Sequence, residues 1–88
     1  MNVNVYSVYD AAVKAFAPPF YARSAGEAIR SFSQLATDTN SNVSRHPTDF
    51  VLFGLGSYDD ATGLFASNEP MRLISASEIL GKLDAENK

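Results

Sequence analysis

The sequence predicts an α+β fold: an antiparallel sheet of four to five strands, in the order ββαββ(β)α, with one main helix packed on one face. Three observations support this prediction. Extended runs rich in Val, Tyr and Phe lie on either side of a stretch with helical apolar spacing, and Pro, Gly and Asp clusters separate them. The 88 residues are expected to form one domain over residues 1–83, with residues 84–88 as a flexible C-terminal tail.

Residues 2–9 are expected to form the opening strand. Val3 and Val5 alternate with more polar neighbours, which is typical of a strand with one face more buried than the other. Residues 10–13 have the composition of a turn, so we expect a hairpin here.

The hairpin partner is predicted over residues 14–17. Pro18 and Pro19 then interrupt it, because a proline has no amide hydrogen to donate to a neighbouring strand. Residues 20–22 are expected to resume the extended path beyond this break. An edge position in the sheet follows, since an edge strand tolerates missing donors.

A helix is predicted from Ser24 onward. Ser24 and Glu27 match the S-x-x-E capping box, in which the serine hydroxyl accepts a hydrogen bond from a backbone amide of the first helical turn. Polar turn residues at 37–42 end the helix, and the loop continues to Pro47. One apolar stripe runs along the predicted helix: Ala25, Ala28, Ile29, Phe32, Leu35 and Ala36.

Residues 49–58 form the strongest predicted strand. Its apolar residues are nearly consecutive rather than alternating, which indicates a strand that is central or covered on both faces. Residues 59–63 are expected to be a hairpin loop with Gly63 in a left-handed conformation. Residues 64–67 are expected to pair back antiparallel.

A short strand is predicted at residues 72–74. A second S-x-x-E box, from Ser75 to Glu78, then opens a short helix that ends near residue 83. One helix covers only one face of such a sheet. We therefore expect a homodimer to bury the second face, with the C-terminal helix as the competing cover.

Composition excludes several classes of protein. The chain has no cysteine, so it holds neither a disulfide framework nor a thiolate metal site, and a reducing compartment is expected. The N-terminus lacks a basic and apolar export signal, and no run approaches the roughly 18 apolar residues of a membrane span, so no membrane association is expected.

Charge is unevenly distributed along the chain. The formal net charge of −3 argues against a strongly basic nucleic-acid binder. Residues 10–45 nevertheless contain four cations against three anions, whereas residues 49–69 contain four acids and no base. An anion-binding surface is therefore expected from the first half of the chain.

Single-residue candidates for chemistry are explained better by structure. Asp59 and Asp60 lie in a predicted hairpin loop, and the lone His46 has no partner at metal-ligand spacing. Gly54 and Gly56 lack the third glycine and the helix of a phosphate loop, so a bulge or close packing is expected. No acid, base and nucleophile set can be assembled, so neither an enzyme nor a cofactor or metal site is expected.

One cluster combines aromatic and basic residues. Bases of single-stranded nucleic acid stack on aromatic rings while cations contact the phosphates, so the cluster suits that ligand. The alternative is that the aromatic residues form the core of a small sheet. The cluster comprises Tyr6, Tyr9, Phe16, Phe20 and Tyr21, with Lys14, Arg23 and Arg30 close in sequence.

Four strings, in this order and spacing, carry a resemblance to a known family: YSVYD, APPFYARSAGEAIRSF, HPTDFVLFGLGSYDDATG and ISASEIL. Over about residues 5–80 the chain resembles the small nonstructural protein encoded by the fifth reading frame of gokushovirus-type Microviridae, phages with single-stranded DNA genomes. The family pattern often has LFELG in the central strand, where this chain has Gly54 in place of the glutamate.

The resemblance implies a phage protein in the host bacterial cytoplasm, with a role in viral DNA synthesis or DNA binding and no enzymatic activity. The leading hypothesis is a homodimeric accessory protein of viral DNA replication or packaging that binds single-stranded DNA weakly. The alternative is a module that binds the viral replication initiator or a host replication factor, without DNA contact, through a sheet edge or its acidic segment. The candidate DNA-binding residues are Lys14, Arg23, Arg30, Arg45, Tyr21 and Phe20.

Overall fold

The structure, a computed structural model, describes the backbone of residues 2–86 and the side chains of residues 2–82. Five strands and three helices make up this part of the chain, and the predicted α+β fold is confirmed. In chain order they are β1 (Asn2–Asp10), β2 (Ala15–Phe16), β3 (Phe20–Ala22), α1 (Ala25–Thr37), α2 (Asn42–Arg45), β4 (Phe50–Asp59), β5 (Leu64–Ser75) and α3 (Ala76–Glu86).

The sheet is antiparallel, in the order β2-β1-β4-β5, and β3 also pairs with β1. Because β2 and β3 both pair with β1, they form one edge strand that Pro18 and Pro19 interrupt. The predicted edge position is confirmed. β4 lies between β1 and β5, which confirms the predicted central strand and explains its apolar residues.

Helix α1 begins as the capping residue predicts. The Ser24 hydroxyl accepts a hydrogen bond from the Glu27 amide at 3.2 Å. Ala28, Phe32 and Ala36 are buried along the predicted stripe, whereas Leu35 lies at its margin and is exposed. The short helix α2 within the next loop is not predicted from the sequence, because four residues are too few for a periodic pattern.

All three helices contact the same core. Phe32 of α1 and Leu52 of β4 are fully buried, and Ala76 and Ile79 of α3 belong to the same buried cluster. The Ser75 hydroxyl caps α3 by accepting from the Glu78 amide at 3.1 Å. Helix α3 therefore lies on the face that α1 covers, and it leaves the second face of the sheet uncovered.

The C-terminal end differs in extent from the sequence-based boundaries. Helix α3 continues to Glu86, past the predicted end at residue 83, and residues 87 and 88 of the predicted tail lie outside the described residues. Strand β5 is continuous from Leu64 to Ser75, where the sequence predicts two separate strands. Its register shifts twice against β4, and the second shift brings residues 68–70 opposite Leu55.

Gly56 is required by the backbone at this irregular point of β4. Its φ is +149°, a value that side-chain-bearing residues rarely adopt, and a Cβ placed on it would lie 2.1 Å from the Ala66 carbonyl oxygen. The G-x-G pattern is thus explained by a bulge and close packing, as the sequence predicts. Gly54 differs, because a Cβ there would meet only the Tyr6 ring, at 3.8 Å.

We predict that Gly56→Ala lowers the free energy of unfolding by at least about 3 kcal/mol, since β4 or β5 must move to relieve the clash. Gly54→Ala is the matched control and changes it by less than about 1 kcal/mol. Urea unfolding monitored by circular dichroism measures both. Equal effects of the two substitutions would contradict this account of Gly56.

Candidate nucleic-acid interface

The sheet face opposite α1 is called the free face here, because no described helix covers it. Strand pairing defines its residues. Tyr9 pairs with Phe16, Val5 with Tyr21, and Ser7 with Phe53. Further pairs on this face are Val3 with Tyr58, Tyr58 with Phe65, Tyr9 with Val51 and Phe53 with Arg72.

Six aromatic rings on the free face form two groups. The Phe16 trio consists of Tyr9, Phe16 and Phe53, whose ring centroids lie 4.9 to 6.1 Å apart. The Tyr21 trio consists of Tyr21, Tyr58 and Phe65, with Tyr58 5.9 Å from Tyr21 and 4.7 Å from Phe65. These spacings are typical of packed aromatic pairs.

The two trios share a face because of two irregularities in the strands. Phe16 and Tyr21 are five residues apart, and so are Phe53 and Tyr58. In a regular strand an odd separation puts two side chains on opposite faces. The Pro18-Pro19 break in the edge strand and the bulge at Leu55 in β4 each add one residue, which returns the second ring of each pair to the free face.

The rings cover the strand that lies between them. Phe16 and Phe53 belong to the strands on either side of β1 and approach to 5.4 Å near Ser7, which is completely buried. Tyr21 and Tyr58 meet in the same way near Val5, which is 7% exposed. Side chains of the sheet therefore bury the centre of β1 on a face that has no helix.

Ser7 also holds the break in the edge strand in position. Its hydroxyl donates a 2.6 Å hydrogen bond to the Ala17 carbonyl, and the Ala17 amide donates to the Val8 carbonyl at 2.9 Å. Both bonds lie directly before Pro18. Because the prolines have no amide hydrogen, the serine side chain provides an attachment to β1 at this point.

Three of the six rings remain open to solvent. Phe16 is 42% exposed, Tyr21 51% and Phe65 62%, whereas Tyr9, Phe53 and Tyr58 are half-buried beneath or beside them. Each trio thus presents at least one ring to solvent, supported by a packed neighbour. A planar, uncharged group such as a nucleic-acid base can stack on rings of this kind.

The predicted cations do not converge on one patch. Lys14 directly precedes β2 and Arg23 directly follows β3, so they lie at the two ends of the interrupted edge strand. Each is two residues from an exposed ring of the free face. Arg30 on α1 and Arg45 on α2 are also exposed, but they belong to the helices on the opposite side of the sheet.

Phe20 lies apart from the other predicted aromatic contact. Its side chain packs against the buried core, with its ring centroid 6.0 Å from that of Tyr6. Phe20 and Tyr21 are adjacent in a strand, so they point to opposite faces. Among the described residues, the exposed ring of this pair therefore belongs to Tyr21.

Sequence reasoning did not include Phe53, Tyr58 and Phe65 among the candidate binding residues. The run that contains Phe53 suggests a buried strand, and the register that brings these residues beside Tyr9 and Tyr21 depends on the bulge in β4. Glycine at position 56 within a strand is the one sequence signal of that bulge.

Carboxylates of the strands lie away from the free face where pairing assigns them a face. Asp10 pairs with Phe50 and Asp59 with Leu64, and alternation along the strands places both pairs on the side that the helices cover.

Arg72, which pairs with Phe53, forms an ion pair with Glu78 of α3. The hydrogen bond from the Arg72 guanidinium lowers the pKa of the Glu78 carboxyl.

Other candidates for chemistry have local structural roles. One Asp59 carboxylate oxygen accepts a hydrogen bond from the Ala61 amide at 2.9 Å, and this hydrogen bond lowers the pKa of Asp59. His46 ends α2, where its amide donates to the Asn42 carbonyl. Within residues 2–86, no group of three or more metal-ligating side chains is present, and no helix is long and apolar enough to cross a membrane.

Comparison with known proteins identifies the family. A family model described as Phage ORF5 protein matches residues 3–79. The chain belongs to the phage ORF5 protein family. The matched residues include both trios, the interrupted edge strand and α1. Neither the curated proteins nor the solved structures contain a match to the chain.

We predict that Ser7→Ala lowers the free energy of unfolding by about 1 to 2 kcal/mol, because the Ala17 carbonyl loses its donor. Ser33→Ala is a matched control, since Ser33 also donates to a carbonyl, that of Ile29, but within a helix that favours alanine. Chemical denaturation measures both variants. A Ser7→Ala protein as stable as the control would contradict the role assigned to this hydroxyl.

We predict that the Arg72–Glu78 pair stabilises the fold at neutral pH and is lost in acid. The pKa of Glu78 is lowered in the folded chain from its ordinary value of 4.5. The unfolded state therefore takes up the proton first, so the stabilisation is complete above that value and disappears as the pH falls through the lower, folded-state pKa. Glu78→Gln should flatten this part of the pH–stability curve, measured by urea unfolding; an unchanged slope would contradict the prediction.

Proposed function

We propose that this protein is a nonstructural accessory protein of a gokushovirus-type member of the Microviridae. In this proposal it acts in viral DNA replication or packaging in the host bacterial cytoplasm, and it binds single-stranded DNA weakly. One observation carries the proposal: the free face exposes rings of Phe16, Tyr21 and Phe65, with Lys14 and Arg23 at the ends of its edge strand. A binding role, rather than a catalytic one, is part of the proposal.

The two-layer arrangement supports this choice of ligand. A four-stranded antiparallel sheet with helices on one face and aromatic residues on the other is a known solution for single-stranded nucleic acid, because unstacked bases find planar partners on the sheet. Duplex DNA has its bases stacked internally, so it cannot use these rings. The proposed ligand is therefore the single strand.

Charge sets the expected strength of binding. The net charge of −3 opposes the approach of a polyanion, and few cations are available to replace counterions at the phosphates. Affinity is thus expected to be modest and to fall as salt is added. Lys14, Arg23 and Tyr21 are the proposed contacts. Arg30 and Arg45 lie on the helices, and Phe20 packs against the core.

The homodimer remains a proposal as well. The sequence suggests two possible covers for this face, the C-terminal helix and a second copy of the chain. Because α3 does not cover the free face, the second copy is the one that is left. Its exposed rings give such a copy an apolar contact surface. A second copy packed there would bury the rings that bases need, so a dimer of this geometry and DNA compete for the face.

The alternative function, a module that binds a viral or host replication protein, is supported by a different surface. Strand β5 is exposed from residue 64 to 72, and its outer edge is unpaired within the described chain. Another chain can add a strand to such an edge, although Pro70 and the bulge limit the length that pairs.

We predict that Arg23→Glu lowers the affinity for a single-stranded oligonucleotide by about tenfold in low salt and reduces its dependence on salt concentration. Lys82→Glu is the matched control: it makes the same charge change at an exposed position of α3, in the helical layer. Fluorescence anisotropy measures both. Sedimentation in the same buffers, with and without oligonucleotide, tests the competition between dimer and DNA.

No binding by the wild-type protein in low salt, as monomer or dimer, would refute the DNA-binding proposal. Equal losses for Arg23→Glu and Lys82→Glu would indicate attraction by total charge alone and contradict the assigned site. Capture of a replication protein from infected cells by the Arg23→Glu, Arg30→Glu double variant, together with absent DNA binding, would favour the alternative function.

A further inference from the structure

We propose that the free face contains two separate base-stacking sites, one at each end of the interrupted edge strand, and that one single strand of nucleic acid spans both. This inference rests on the proposed function and adds to it a bipartite ligand of minimum length. The Phe16 trio forms the first site and the Tyr21 trio the second.

Each end of the edge strand carries the same pair of groups. At one end Lys14 is two residues from Phe16, and at the other end Arg23 is two residues from Tyr21. Both aromatic residues have exposed rings packed against a ring from β4, Phe53 in one case and Tyr58 in the other. A ring for a base and a cation for its phosphate are thus present twice.

The trios are distinct sites rather than one continuous patch. Phe16 pairs with Tyr9 of β1, and Tyr21 pairs with Val5, four residues away. At about 3.3 Å per strand residue, this separates the two rows by ~13 Å. The distance is several times the roughly 3.4 Å between neighbouring stacked bases, so a single nucleotide reaches one trio only.

The break between the sites fixes their separation. Pro18 and Pro19 have restricted backbone torsions, and the Ser7 hydroxyl holds the carbonyl of the residue before them. The spacing of the trios is therefore set before any ligand binds, which removes the ordering cost that a flexible linker between two sites would add.

Length dependence follows from this geometry. A mononucleotide, thymidine 5′-monophosphate, reaches one trio only, whereas a strand of about ten nucleotides reaches both and gains the second contact as an intramolecular event. Stacking on rings tolerates any base, so the gain depends on length more than on sequence. Thymidine 5′-monophosphate and an oligothymidylate of about ten nucleotides are suitable short and long probes.

The test uses Phe16→Ala and Phe65→Ala, one in each trio, with leucine versions of both that keep apolar packing while removing the ring. Leu64→Ala is the control, because Leu64 is as exposed as its neighbour Phe65 but lies on the opposite face of β5. Anisotropy titrations in low salt give affinities for both probes, and urea midpoints show which variants are folded.

We expect the longer probe to bind wild type about tenfold more tightly than the shorter, and each trio variant to lose about tenfold for the longer probe. The short probe should change by less than about threefold in either variant, because the intact trio still binds it. Leu64→Ala should match wild type.

Two results would overturn the inference while leaving the proposed function intact. One is equal affinity of the wild-type protein for the two probes. The other is a single trio whose variants abolish binding of both probes while variants of the other trio change nothing. If neither probe binds, the proposed function itself is refuted, and the inference with it.

Discussion

The bulge at Leu55 and Gly56 in β4 is the constraint on which the rest of the free face depends. Side chains alternate along a strand, so one extra residue exchanges the faces of everything beyond it. Phe53 and Tyr58 share a face only because the bulge lies between them, and Gly56 permits it by adopting a φ of +149°. The break at Pro18 and Pro19 likewise adds one residue to the edge strand, which places Phe16 and Tyr21 on the free face together. Two local irregularities, one in each strand that neighbours β1, thus create one aromatic surface.

The two faces of the sheet are stabilised in different ways. On one face α1 and α3 bury Phe32, Leu52 and Ile79 in a conventional apolar core. On the other face no described helix is present, and paired rings shield Ser7 and Val5 of β1 instead. Rings that protect a strand from water must lie at the surface, and this is also where a stacking ligand would meet them. The same side chains therefore stabilise the sheet and form the proposed binding surface. At the two edges of the sheet, prolines restrict pairing with other chains.

Sequence reasoning was most accurate where a signal is local. Serine caps at Ser24 and Ser75, the left-handed Gly63 and the break at Pro18-Pro19 each depend on a few neighbouring residues, and the structure confirms them. Reasoning was weaker for the candidate site, because a side chain's face depends on register over many residues. The adjacent Phe20 and Tyr21 could not be told apart by sequence, yet one packs in the core and the other is exposed. The four cations, close in sequence, are divided between the sheet edge and the helices.

By itself, the sequence determined the α+β class, the order of the strands and the main helix along the chain, the central place of β4 and the membership of a phage family carried by its motifs. Periodicity, capping and turn chemistry act over a few residues, so they can be read along the chain. Tertiary structure alone decided that α3 joins α1 on one face and that six rings collect on the other. It also decided that Lys14 and Arg23 bracket the edge strand. Gly56 and Pro18-Pro19 indicate irregular points along the chain, but which side chains those points bring together depends on the register between strands and on contacts between residues far apart in sequence.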